Sequence, residues 1–170
     1  MKLNNFLVMG ATVFAMTSGS AYSADNAEAT AVWTGLVSSS TPSANLKITG
    51  RSGGNIEPGV LSINENGTFT STEVQLEAHD YDPDTETVGD LQPLADWTYM
   101  GSTVMIDGDF TQEAVVKVFN EGQELTLGTP SDQNDTVMLK VQNEAEITDV
   151  AVEGVAQVSV LMSASYVAAL

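Results

Sequence analysis

The feature that most limits what this chain can become is a period of two at its C-terminal end. Every even position from Val150 to Leu170 is apolar or glycine, while the odd positions carry Glu153, Gln157, Ser159, Ser163 and Ser165 among small and aliphatic residues. Successive side chains of a strand point to opposite faces, so this pattern predicts a strand with one face in a core. The N-terminal region repeats the pattern. Ala27, Ala29, Ala31, Trp33, Gly35 and Val37 alternate with Glu28, Thr30, Val32, Thr34, Leu36 and Ser38, which predicts a second strand over 27–37.

The chain between these ends reads as short strands broken by Gly, Asn, Asp and Pro. Strands are predicted at 46–50, 103–107, 113–119, 124–127, 136–142 and 146–152. Two β-rich runs flank Asn66-Gly67, a pair suited to a type I′ hairpin turn. The stretch 79–90 reads as a polar, acidic loop, and 91–100 as room for one short helical turn with Asp90 as N-cap. Turns are expected at Gly108, at Glu121-Gly122, at Thr129-Pro130 and over 132–135. No stretch carries an amphipathic helix of three turns, so the fold class expected is all-β, a sandwich or barrel.

The first 23 residues stand apart. Lys2 precedes an apolar run, Phe6 to Met16, and then small residues up to Ser23. This is the pattern of a secretory signal peptide cut after Ser23, and the run is shorter than the roughly 20 residues that span a bilayer. The remainder is one domain's worth of chain, large enough for a core without covalent staples. It has no cysteine, so packing and strand pairing must hold the fold. The whole chain carries 23 acidic residues and a formal charge of −18, and after Ser23 the only basic residues are Lys47, Arg51, Lys117 and Lys140. Nucleic acids and anionic membranes need basic footprints, so neither is an expected partner.

Chemistry is sparse. The single histidine, His79, lies beside Asp80 and Asp82, but no G-x-S-x-G elbow accompanies it, and a triad depends on spatial geometry rather than on neighbours. No catalytic residue or cofactor is expected, and the chain is not read as an enzyme. Asp80, Asp82, Asp84 and Glu86 alternate in a way that could wrap calcium, yet the EF-hand positions for glycine and glutamate hold Thr85 and Leu91. That run is a weak calcium candidate, and a solvated acidic loop is the plainer reading. Trp33, Trp97, Tyr81 and Tyr99 could make a sugar platform, although aromatics on strands more often fill cores.

Three segments resemble a known family. The stretch from Ala24 to Gly50, "ADNAEATAVWTGLVSSSTPSANLKITG", the stretch "TVMIDGD" (103–109) and the ending "VEGVAQVSVLMSASYVAAL" are similar to the major pilin family of the enterobacterial common pilus, the Ecp or Mat fimbriae. More broadly they resemble cysteine-free chaperone–usher fimbrial subunits. Residues 55–100 do not take part in the resemblance, and the terminal "VAAL" departs from the usual ending.

The resemblance implies an immunoglobulin-like β-sandwich that lacks its last strand and is completed by a donor strand. It implies residues 1–23 as signal peptide, 24–37 as an N-terminal extension or donor strand, and 38–170 as one pilin domain. It implies a donor face of Ala27, Ala29, Ala31 and Trp33, and an acceptor groove of Val158, Val160, Met162, Ala164 and Tyr166. The implied partners are identical or related pilin subunits, a periplasmic chaperone and an outer-membrane usher. The implied destination is a cell-surface fimbrium, reached through the periplasm and used in adhesion and biofilm, with no receptor named. Alternation alone fits equally an ordinary first strand of the chain's own domain, or a split with 24–30 as donor and 31–37 as domain. The alternative function is a monomeric secreted β-sandwich that binds a glycan or calcium.

Overall fold

The computed structural model describes residues 25–33, 39–148 and 154–166, and every statement of presence or absence below concerns those residues. The segment read as a signal peptide lies outside them. So do 34–37 of the predicted N-terminal strand, 149–152 of the strand predicted over 146–152, and Ala168 and Leu170 of the terminal one.

The described residues form β1 (Asp25–Trp33), β2 (Ser39–Thr41), β3 (Leu46–Thr49), β4 (Leu61–Ile63), β5 (Phe69–Ser71), β6 (Val74–Asp82) and β7 (Thr87–Leu91). They continue with β8 (Asp96–Ile106), β9 (Asp109–Thr111), β10 (Val116–Asn120), β11 (Gln123–Glu124), β12 (Thr136–Asn143) and β13 (Ala156–Tyr166). One short 3-10 turn, Arg51–Gly53, sits among them. All strand pairings are antiparallel.

Two sheets result. The first has the order β2-β1-β13-β8-β9. The second is built around β12, with β10 and β11 on one side and β5, β4 and β6 on the other, and β6 also pairs with β3 and β7. Where the partner of β12 changes from β6 to β5, the Val141 N–H donates to Ser71 Oγ at 2.9 Å, so no buried donor is stranded at the switch. Ala27, Ala29, Ala31, Trp33, Trp97, Val104, Val158, Val160, Met162 and Ala164 of the first sheet are buried against Leu46, Ile48, Phe69, Val74, Leu76, Val118, Val137, Leu139 and Val141 of the second. The protein is an all-β antiparallel sandwich with one apolar core between its layers.

Several local expectations need correcting. The hairpin at Asn66-Gly67 exists, as β4 and β5, but its turn is not type I′. The Gly67 N–H bonds to the Asn64 carbonyl at 2.9 Å, and Gly67 alone of the turn has positive φ, at 79°. This is a type I turn followed by a glycine bulge. The geometry expected there occurs instead at Asp107-Gly108 (φ 52° and 93°) and at Glu121-Gly122 (φ 49° and 84°), which join β8 to β9 and β10 to β11 through two residues each. The acidic stretch 79–90 is not a loop but the β6–β7 hairpin. No helical turn follows Asp90, which lies within β7, and Asp96 already opens the eleven-residue β8. Residues 146–148 are not strand. Ile147 instead packs over the β4–β5 turn, its N–H bonded to the Asn66 carbonyl at 3.0 Å.

Gly67 is therefore constrained twice. It needs a left-handed backbone, and a Cβ there would lie 2.6 Å from Ile147 Cβ. Gly122 needs the same backbone but has nothing within 4 Å of an added Cβ. Gly67→Ala is expected to destabilise by about 2–4 kcal/mol and Gly122→Ala by about 1–2 kcal/mol. Urea-unfolding midpoints of the two variants check the contrast.

Candidate functional site

The first candidate is the slot that holds β1. Asp25 pairs with Tyr166, Ala27 with Ala164, Ala29 with Met162, Ala31 with Val160 and Trp33 with Val158. On its other side β1 pairs only with the three-residue β2. The two halves of the predicted interface, Ala27, Ala29, Ala31 and Trp33 against Val158, Val160, Met162 and Ala164, are thus brought together within one chain, all of them buried. Tyr166 is partly buried and packs at the margin of the core. Burial raises the pKa of its phenol, and the Asp80 and Asp25 carboxylates raise it further, so it stays protonated at neutral pH.

Alanine suits the middle of this slot because β3 lies across it. The chain crosses from the first sheet to the second between β2 and β3, and Ser40 Oγ donates to the Ile48 carbonyl at 2.6 Å. Leu46 and Ile48, both fully buried, pack on the β1 side of the core. Asp25 fixes the start of the strand by accepting the Asn45 N–H at 2.8 Å. At the other end the Trp33 indole N–H donates to the Thr72 carbonyl at 2.9 Å, and a Cβ on Gly59 would overlap the indole. The sequence reading missed Leu46, Ile48, Gly59 and Thr72, because nothing in the order of residues shows what lies across a sandwich.

The second candidate surrounds His79. It lies on β6, not in a loop, two residues from Glu77, and the outer face they share is covered by the turn at Arg51–Gly53. Both are buried. His79 Nδ1 is 2.9 Å from the Gly89 carbonyl and Nε2 is 3.0 Å from Glu77 Oε2. Both neighbours are acceptors, so a neutral ring serves one of them and the imidazolium serves both. Glu77 also accepts from Gln75 Nε2 at 2.8 Å and from the Gly53 N–H at 3.3 Å. Its ring thus lies between the β7 carbonyl of Gly89 and the Glu77 carboxylate, within hydrogen-bonding distance of each. The pair was legible in principle, since positions 77 and 79 share one face of a strand.

The remaining candidates disperse. Asp82 Oδ1 accepts the N–H groups of Asp84 (2.9 Å) and Thr85 (3.3 Å), and Asp80 Oδ1 accepts from Gln92 Nε2 at 3.0 Å. Asp80, Asp82, Asp84 and Glu86 are not gathered, and among the described residues no three His, Asp or Glu side chains are grouped to hold a metal ion. The aromatic platform also dissolves. Trp33, Trp97 and Tyr99 are buried, with the Trp97 N–H bonded to the Asn134 carbonyl at 2.8 Å, while Tyr81 stands apart under the Lys47 ammonium, 5.3 Å from its ring centre. Among the described residues no helix is long and apolar enough to cross a membrane. Comparison of the sequence with protein-family models, with curated proteins and with solved structures finds no match.

Burial alone would raise the pKa of Glu77. The His79 hydrogen bond, the Ser52 and Gly53 N–H groups and the His79 charge outweigh that effect and hold it below its usual value of 4.5. A depressed carboxylate stabilises the fold fully above its unfolded pKa, and that contribution is lost as pH falls through the folded value. Glu77→Gln should therefore cost about 1–3 kcal/mol near neutral pH, and its deficit against the native chain should shrink as pH falls below about 4.5. Urea unfolding between pH 7 and 3 measures both; a deficit that stays constant with pH would contradict this role.

Proposed function

We propose that this chain is a structural fibre subunit whose copies join by exchanging β1. The observation that carries the reading is the pairing of β1. A nine-residue N-terminal strand with buried alternate side chains fills the slot beside β13, and only residues 34–38 connect it to β2. Every contact β1 makes within its own domain can be made by the β1 of a second copy in the same register, which is strand exchange. Removing β1 would leave one edge of β13 unpaired over an apolar groove, a form that aggregates unless another strand covers it.

The similarity of the two chain ends to chaperone–usher pilins supports the same reading. It extends the proposal to an immunoglobulin-like domain completed by a donor strand, to export through the periplasm, to a chaperone and an usher as assembly partners, and to a surface fimbrium serving adhesion and biofilm. The work of such a subunit is mechanical, and it calls for no cofactor.

The absence of native cysteine makes the test direct. Glu28 and Ser163 are cross-strand partners on the outer face, at a spacing a disulfide can bridge. Glu28→Cys and Ser163→Cys in one chain should give an intramolecular bond, which reports the register. Placed on separate copies that are mixed, unfolded and refolded together at high concentration, they should give disulfide-linked dimers. Adding Ala29→Asp to the Glu28→Cys copy should abolish these dimers, because it puts an unpaired charge in the core at a cost of several kcal/mol. Intramolecular bonding without any dimer would show that β1 serves its own domain alone.

A further inference from the structure

We infer that the slot beside β13 selects its occupant by one terminal indole and three small side chains, so that the partner it takes is a strand of the form Ala-x-Ala-x-Ala-x-Trp. Residues 27–33 of a second copy meet that description. This rests on the strand-exchange reading and goes beyond it, since it says which strand is admitted and what fixes its register.

The selection has two physical parts. Ala27, Ala29 and Ala31 are at most 2% exposed, and β1 packs against β3, whose Leu46 and Ile48 are fully buried. A larger side chain at any of these places must displace well-packed β3 residues. At Trp33 the chain has instead made room. Gly59 leaves a recess that one added methyl group would fill, with Val74 Cγ2 2.9 Å from the place that methyl would take. The indole occupies the recess, is fully buried, and donates to the Thr72 carbonyl.

Two hydrogen bonds that do not involve β1 shape the recess. Thr72 N–H donates to the Val60 carbonyl at 2.9 Å, and Val60 N–H donates to Thr72 Oγ1 at 2.9 Å. These two bonds tie the segment carrying Gly59 to the connection between β5 and β6. A strand with period-two alternation can slide by two residues and keep its apolar face inward. Sliding β1 by two in one direction would drive the indole into the place held by Ala31, and sliding it by two in the other would put Ala31 in the recess and take the indole out of it. The indole is therefore the register lock.

The test uses full chains and the disulfide pair described above. Glu28→Cys marks the copy that donates β1, and Ser163→Cys marks the copy that accepts it. Trp33→Leu is placed only on the donor and Gly59→Ala only on the acceptor. With the native indole, Gly59→Ala should cut the yield of linked dimers about tenfold, and Trp33→Leu on the donor should restore most of it. Trp33→Leu against the native acceptor should fall by a similar factor, as should Ala29→Leu on the donor. The same cycle within one chain, read as melting temperature, should show Gly59→Ala partly rescued by Trp33→Leu. If Gly59→Ala lowers the yield equally for both donors, the indole lock is wrong while strand exchange stands. If no pair gives dimers although the single-chain disulfide forms, strand exchange itself is wrong, and selection between copies falls with it.

Discussion

The pairing of β1 with β13 is the interaction on which the rest of the sandwich depends. β13 is the central strand of its sheet, bonded to β8 along one edge and to β1 along the other. Its inward side chains, Val158, Val160, Met162 and Ala164, are fully buried, and without β1 one edge of β13 would be left unpaired. A chain with no disulfide and a charge of −18 has no cross-link to hold it together and must overcome its own repulsion. Its stability has to come from a continuous buried core, and β1 adds an indole and three alanines to that core.

The polar groups that the sandwich buries mark the places where the ladder alone would fail. Asn143 is buried at the end of β12, where it donates to the Gly67 and Ala145 carbonyls and accepts from the Val115 and Ala145 N–H groups. A single side chain thereby ties β12 to the β4–β5 turn and to the start of β10. Glu77 and His79 do the same on the outer face of β6, where the register with β7 shifts and leaves the Gly89 carbonyl to be met by a side chain. These residues sit where a strand ends or slips register, which is why a polar side chain is retained there despite the cost of burying it.

Much of the fold was written in the sequence, but unevenly. Period two located β1 and β13 and gave the inward face of both, because alternation follows directly from the geometry of an extended chain. The Asp-Gly and Glu-Gly pairs punctuated the chain where the hairpins turn. Asn66-Gly67 misled on turn type, since Ile147, eighty residues on, packs against Gly67 and favours the bulged form. The stretch 79–90 looked like a loop for its acids alone; the acids line the exposed parts of a hairpin whose anchor, His79, faces Glu77. Of the slot, the strand side was legible and the opposing side was not. Leu46, Ile48 and Gly59 belong to another layer, and adjacency across layers is set by how the chain crosses between sheets, at β2–β3, rather than by any local pattern.

The shape of β1 bears on how exchange between copies would be governed. An exchanged strand makes the same contacts as a self-inserted one, so neither state is favoured by the pairing itself. What separates them is concentration. A strand attached through a short connector competes with its neighbours at an effective concentration in the millimolar range, far above that of a dilute second copy. Self-closure therefore wins in dilute solution, and exchange wins only where copies are crowded or where something keeps β1 out of its own slot until the next subunit arrives. A helper that temporarily supplies a strand to β13 would do this, and under the inferred selectivity its strand would have to match alanines and one indole. The more selective the slot, the less readily a foreign strand stays in it, and the more readily the β1 of another copy displaces that strand.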